Sequence, residues 1–317
     1  MKNYVKYILT TAVIAVLAVA VAAYIVYVRT PETFEGGDLV DDRGYSLTLT
    51  SPPERIVSLA PSNTEILFAV GAGDKVVGVT NFCDYPYNFT AWIEAGNMTS
   101  IGSFQNPSVE PIVSLDPDLV LASKQSLEAT ENLRNLGINV LVLDAKNISS
   151  VFRDILLVGR ATNRHSEAVA VESELRQKMD AISKQAIDAT SKPKVYHEVY
   201  PLMPAGPNTF IDELITSAGG VNVFHDAATR YPSVSSEAVI EKNPDIMVFP
   251  DEYMGREHFS ETMEDVKNRA GWELISAVQN NAIYEINSDI ISRSGPRLAE
   301  ALGVLAKIIH PEIFGQT

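Results

Sequence analysis

The residue types and spacings most able to do chemistry in this chain are two glutamates set in matching stretches. Glu110 lies in SVEPIVSLDPDLVL, residues 108 to 121, and Glu237 in SSEAVIEKNPDIMV, residues 235 to 248. Ser, Glu, Pro and Asp fall at identical offsets, and each stretch reads as a short helix, a proline-marked turn and a buried strand. A carboxylate in the first turn of a helix is favoured by the partial positive charge there, which alone would account for both glutamates. Carried on two like units, they would also serve as a pair of docking points for arginines on a symmetric partner.

Other chemistries find little support. The histidines are His165, His197, His225, His258 and His310; none lies within four residues of another, so no helix-face metal pair is present. Cys83 is the single cysteine and forms no disulfide within the chain; it reads as a small buried residue, with soft-metal ligation the rival. Gly71, Gly73 and Gly78 follow a helix rather than joining strand to helix, so they mark a helix end, not a dinucleotide loop. There is no phosphate-binding lysine loop and no GxSxG elbow. No paired acid and base marks a catalytic site, and no residue is assigned a catalytic or metal-binding role. His197 beside Glu198 is the one adjacent pair, and strand alternation sends them to opposite faces.

The elements that must position these residues alternate strand and helix, which predicts parallel sheets. Residues 166 to 190 carry apolar side chains at Val171, Leu175, Met179, Ile182 and Ala186, the spacing of an amphipathic helix. Glu172 with Arg176, Glu174 with Lys178 and Asp180 with Lys184 add acid-before-base pairs. At ~1.5 Å per residue this helix spans about 36 Å, long enough to link two lobes. The expectation is an α/β protein of two similar lobes with central parallel sheets joined by one long α-helix, preceded by an N-terminal transmembrane helix. Its divisions are residues 1–30 (membrane anchor or signal), 31–53 (linker and first hairpin), 54–148 (N-terminal lobe), 149–192 (helical connector) and 193–317 (C-terminal lobe).

Within the lobes, Ser62 and Glu65 have the spacing of a capping box, residues 287–295 read as a loop, and Pro296 as the start of the last helix. Ligands of open α/β sheets collect beyond the carboxyl ends of strands. The loops there carry Phe82, Tyr85, Phe104, Tyr200, Met203, Tyr231 and Arg293. Such walls suit a large, partly apolar, neutral or weakly charged ligand, although each ring could equally cap the core of its own lobe.

Residues 7 to 28 contain no charge and are flanked by Lys6 and Arg29, enough to cross a bilayer of about 30 Å as a helix. A retained anchor with the body outside is expected; a cleavable signal is the rival, with Ala18 to Ala22 resembling cleavage sites. Lacking a cysteine after the run, the chain offers no lipid attachment there. Net charge is −15 over 317 residues, with no basic stripe, so nucleic acid is excluded as a partner. Sequons at Asn88, Asn97 and Asn147 are compatible with an outside location.

Taken together, RIVSLAPSNTE at 55–65, GVTNFCDYP at 78–86, the two glutamate segments, AGPNTF at 205–210 and the stretch from Ser288 to Arg297 resemble substrate-binding proteins of ATP-driven (ABC) importers. The likeness runs over about residues 38–312, in the class whose lobes share one long helix, and is strongest to the cobalamin-binding branch. It implies binding and delivery, without an intrinsic cofactor and without catalysis, by a monomer whose partners are a permease and its ATPase subunits. Cobalamin or a related corrinoid is the implied transported ligand; a ferric siderophore or haem is the alternative within the class, and a tetrapyrrole metal chelatase the alternative outside it. Glu110 and Glu237 are implied to meet permease arginines. Ligand contacts are implied at Phe82, where tyrosine is common, and across the loop from Asp289 to Arg293. Phe104, Ile290 and Ser123 fall where relatives tend to carry tryptophan, so this pocket is less aromatic.

Overall fold

The computed structural model describes residues 34, 37–251 and 263–315. The expected anchor at residues 7–28 and His258 lie outside the described residues. Among the described residues no helix is long and apolar enough to cross a membrane.

The described residues open with an antiparallel hairpin, β1 (Gly37–Val40) and β2 (Ser46–Leu49). Leu39, Leu47 and Leu49 turn inward while their neighbours face water, the alternation of a half-buried ribbon. Its turn residue Asp41 is buried and accepts hydrogen bonds from its own turn, Arg43 N and Tyr45 N at 2.9 Å each. The same carboxylate takes Val142 N at 3.0 Å and the Arg134 guanidinium at 2.7 Å. One acid thus fastens the hairpin to the body.

The first parallel sheet uses β3 (Ile56–Ser58), β4 (Val76–Val79), β5 (Thr99–Ser100), β6 (Leu119–Ser123) and β7 (Val140–Leu143), in the order β5-β4-β3-β6-β7. Every residue of β6 and β7 is buried, as expected where helices cover both faces. The second sheet is built of β8 (Lys194–Tyr200), β9 (Met203–Pro204), β10 (Val221–Asn222), β11 (Ile246–Pro250) and β12 (Ile283–Ile286). Its parallel order is β10-β8-β11-β12, with β9 antiparallel on β8. Each sheet has its own apolar core, one around Val57, Ile112 and Val142, the other around Tyr196, Phe249 and Trp272.

Between the sheets run the helices Ile148–Ala161 and His165–Ile187. The second is the long amphipathic helix, three residues shorter at its end than its pattern predicts. It buries Ala168, Leu175, Met179 and Ala186. The two helices meet at a tight corner that only glycine permits: a Cβ on Gly159 would lie 2.2 Å from the Ala168 Cβ and 2.9 Å from the Arg164 carbonyl oxygen.

Three local expectations change. The helix Pro61–Ala69 starts at proline after Ala60 with no side-chain cap, so Ser62 and Glu65 form no capping box. Residues 287–295 contain a helix, Ser288–Ser292, capped by the Asn287 side chain. The last long helix starts at Leu298, not Pro296.

Asp154, on the buried face of the helix Ile148–Ala161, has one carboxylate oxygen without a partner among the described residues. Burial, with the Asp42 carboxylate adding to it, pushes its pKa up to about 9. The folded protein therefore holds a proton that the unfolded chain releases above the ordinary value of 3.8. This acid costs stability progressively as pH rises from there toward 9. Asp154→Asn is expected to gain stability over the parent at pH 8 and to gain much less at pH 5, read from urea unfolding midpoints; a pH-independent difference would refute the assignment.

Candidate functional site

Because the strands of each sheet are parallel, all their carboxyl ends lie on one edge, and the following loops meet across a cleft of about 470 Å³. From the first sheet come Ala60 to Ser62 after β3, Phe104, Ser123 to Gln125 after β6, and Leu143 to Ala145 after β7. From the second come Val199 and Tyr200 at the end of β8, together with Met203, Phe210, Tyr231 and Ser292 to Ser294. The walls are aromatic and apolar with a few polar groups, the make-up of a site for a large, partly apolar molecule.

Of the residues expected to contact ligand, Phe104, Tyr200, Tyr231 and Arg293 line the cleft. Four others stand outside its wall. Phe82 packs edge-on against Phe104, ring centroids 5.1 Å apart, and is itself 38% exposed. Tyr85 lies under the Arg297 guanidinium, 4.3 Å from the ring centre. Asp289 and Ile290 belong to the helix Ser288–Ser292 rather than to a loop; its turn directs Ile290 into the core and leaves Asp289 against Arg293 at 2.5 Å. Glu110 and Glu237 are exposed in the first turns of the helices Val109–Ser114 and Ser236–Lys242. Its own backbone N–H and the Ser235 hydroxyl hold the Glu237 carboxyl below the usual range.

Cys83 is buried with its sulfur 3.2 Å from the hydroxyls of Thr64 and Thr80, and burial raises its pKa. His197 is buried as well, and burial lowers its pKa to about 4, so it is neutral. No group of three or more potential metal ligands occurs among the described residues.

What the sequence reading missed is a set of charges that closes one end of the cleft. Glu65, almost fully buried, accepts Arg293 Nη1 at 2.9 Å and both Nη2 and Nε of Arg297, at 2.7 and 3.0 Å. Arg293 also reaches Asp84 at 2.6 Å and the Phe82 carbonyl at 3.3 Å. Glu65, Phe82 and Asp84 come from the first sheet's side, the arginines and Asp289 from the second. Burial works against the charge on Arg293, but hydrogen bonds to Asp84 and Glu65 raise its pKa above the ordinary value. Burial, with the Asp84 carboxylate nearby, pushes Asp289 up to about 6. Two signals were available: an acid inside a helix with no local partner, and two arginines four apart.

Glu65→Gln leaves two clustered guanidiniums without their buried counter-charge. A loss of about 3 kcal/mol or more is expected, accompanied by a larger radius of gyration in X-ray scattering as the sheets part. Unchanged stability and size would show that Glu65 does not hold the cleft.

A family model described as periplasmic binding protein matches residues 56–290. The chain is 34% identical to the ABC transporter substrate-binding lipoprotein YvrC of Bacillus subtilis, over 86% of this chain and 85% of that protein. It is 32% identical to the cobalamin-binding protein of Halobacterium salinarum, over 85% and 73%. The periplasmic haem-binding protein RhuT of Roseiflexus sp. superimposes with a TM-score of 0.71 at 27% identity, over 81% and 98%. With its parallel sheets opening onto a shared cleft and this breadth of sequence likeness, the chain belongs to the periplasmic binding protein family.

Proposed function

We propose that the protein is the substrate-binding component of an ABC importer that captures cobalamin or a related corrinoid outside the cell and hands it to the permease. The observation that carries the ligand is the 32% identity, over 85% of this chain, to a cobalamin-binding protein. The cleft supports it: aromatic and apolar walls with the amides of Gln105 and Gln125 match a large macrocycle edged by amides. Its work is binding and docking, with ATP hydrolysed by other subunits. Residues 54–148 and 193–317 act as the two lobes and 149–192 as the connector. The uncharged run at 7–28 tethers this body to the membrane; Cys83 is buried in the first lobe and so offers no lipid attachment.

Contacts to the ligand are assigned to Phe104, Tyr200, Tyr231 and Arg293 on the wall. Phe82 packs on Phe104 of that wall, Asp289 holds Arg293, Tyr85 lies against Arg297, and Ile290 is in the core. Haem is the second cargo: it is favoured by Tyr200, Met203 and Tyr231 on the wall, side chains of the kinds that ligate haem iron. Titration of the purified protein with cobalamin and haem, followed by absorbance, decides between them. Cobalamin binding at micromolar concentration or tighter is expected, and its absence would remove cobalamin as cargo.

Docking is assigned to Glu110 and Glu237. A helix that crosses over to the next parallel strand runs back along the sheet, so its first turn lies toward the strands' carboxyl ends, the edge where the cleft opens. Both glutamates occupy such first turns, before β6 and β11, and each of these strands pairs with the first strand of its sheet. Glu110→Arg combined with Glu237→Arg is expected to abolish uptake in cells and leave ligand affinity intact; lost affinity would move these residues into the pocket or the core.

A further inference from the structure

Among the described residues the cleft wall carries two cationic side chains, Lys124 and Arg293, and they differ in what they hold. The Arg293 guanidinium is committed to Glu65, Asp84 and Asp289. Lys124 hydrogen-bonds to nothing among the described residues. Its backbone is fixed: Ser123 N donates to Ser126 Oγ at 3.1 Å, and Ser126 Oγ donates back to the Ser123 carbonyl at 3.1 Å, making one tight turn after β6. From that turn the ammonium reaches across to the other sheet's Tyr231, 5.5 Å from the ring centre.

The same ring takes the Arg230 guanidinium at 5.7 Å, and Arg230 is held by the carbonyls of Asn208 at 3.0 Å and Lys146 at 3.3 Å. Lys124 and Arg230 thus meet at one ring of the cleft wall, in a chain whose net charge is −15. Lys124 is solvent-accessible in the open cleft, yet the walls withdraw enough water from the ammonium to lower its pKa. Repulsion from Arg230 and Lys146 adds to that, and the Asp144 carboxylate on the wall opposes it. An ammonium with three donors and no acceptor among the described residues, sharing a ring with the Arg230 guanidinium, is matched by an anionic oxygen group.

We propose that Lys124 is a specificity-determining residue that takes an anionic oxygen group of the ligand, a phosphate diester or a carboxylate, at the Tyr231 end of the cleft. This rests on the function proposed above and names a chemical requirement within it. Cobalamin supplies one such group, the phosphodiester of its nucleotide loop, while the rest of its ring edge is neutral amide. Cobinamide keeps the ring and lacks that phosphodiester. Haem supplies carboxylates, which its dimethyl ester lacks.

The test titrates the full chain and its Lys124→Met and Lys124→Arg variants with cobalamin and cobinamide at two salt concentrations. Lys124→Met is expected to weaken cobalamin about 10- to 100-fold while shifting cobinamide less than about threefold, with Lys124→Arg close to the parent. The parent's cobalamin affinity falls more with added salt than that of Lys124→Met. Equal losses for both corrinoids, or none for either, would overturn the proposal by showing a role in packing or no role. A parent that binds haem and neither corrinoid removes the cobalamin reading but not this one: the same variants are then compared on haem and its dimethyl ester, with loss on haem alone supporting the proposal and equal loss overturning it. A parent that binds none of these ligands overturns the function and this inference together.

Discussion

A buried carboxylate facing two arginines from the other half of the molecule is the interaction on which the shape of the binding cleft depends. Glu65 has almost no exposed surface, and its attraction for Arg293 and Arg297 is therefore little screened by water. Removing Glu65 would leave Arg297 without its buried carboxylate partner and Arg293 with only Asp84 and Asp289. Because Arg293 also lines the cleft, the contact that joins the sheets is continuous with the ligand-facing wall. Asp84 and Asp289, one from each side, converge on that same arginine and bring the proton balance of the cleft's edge into the joint.

The opposite restraint is covalent. The long helix proposed as connector is unbroken from His165 to Ile187, and bending it would forfeit backbone hydrogen bonds along its length. Its corner with the preceding helix is closed around Gly159 and Ala168, leaving little slack for rotation. A stiff link and an ionic joint together favour small adjustments of the cleft over a wide hinge swing. That suits a binder whose cargo is a rigid macrocycle, because a preformed gap spends little of the binding energy on reordering the protein.

Charge is distributed unevenly around this frame. The body as a whole is acidic, yet its cleft wall holds Arg293 against carboxylates and, at Tyr231, brings Lys124 together with Arg230. The first arrangement is internally neutralised and structural. The second has the Asp144 carboxylate nearby but no hydrogen-bonded acid among the described residues, and it is the one proposed to face a ligand's charge. Tyr231 supplies the aromatic ring to which both cations are drawn.

Much of this architecture was legible in order along the chain. Alternating strand and helix patterns specify parallel sheets, the 3.6-residue period specifies the long helix, and β7 (Val140–Leu143) falls where its apolar run ends. These signals are local, each set by a few neighbouring residues and the period of the backbone. The matched Glu110 and Glu237 segments also declared their helices, because Ser before each and Pro after each punctuate the same short element. Where partners lie far apart in sequence, local reading failed. Glu65 read as a cap because Ser62 stood three residues before it, whereas its true partners are 228 and 232 residues away. Asp289 and Ile290 read as loop because Asn287 and Gly295 bracket them, and only packing shows the helix that turns Ile290 inward. Sequence by itself determined the alternation of strands and helices and the long helix, since periodicity and turn chemistry are short-range. Which charges meet, which rings line the cleft and where on its wall Lys124 stands were decided by the tertiary structure, because burial and long-range pairing exist only once the sheets face one another.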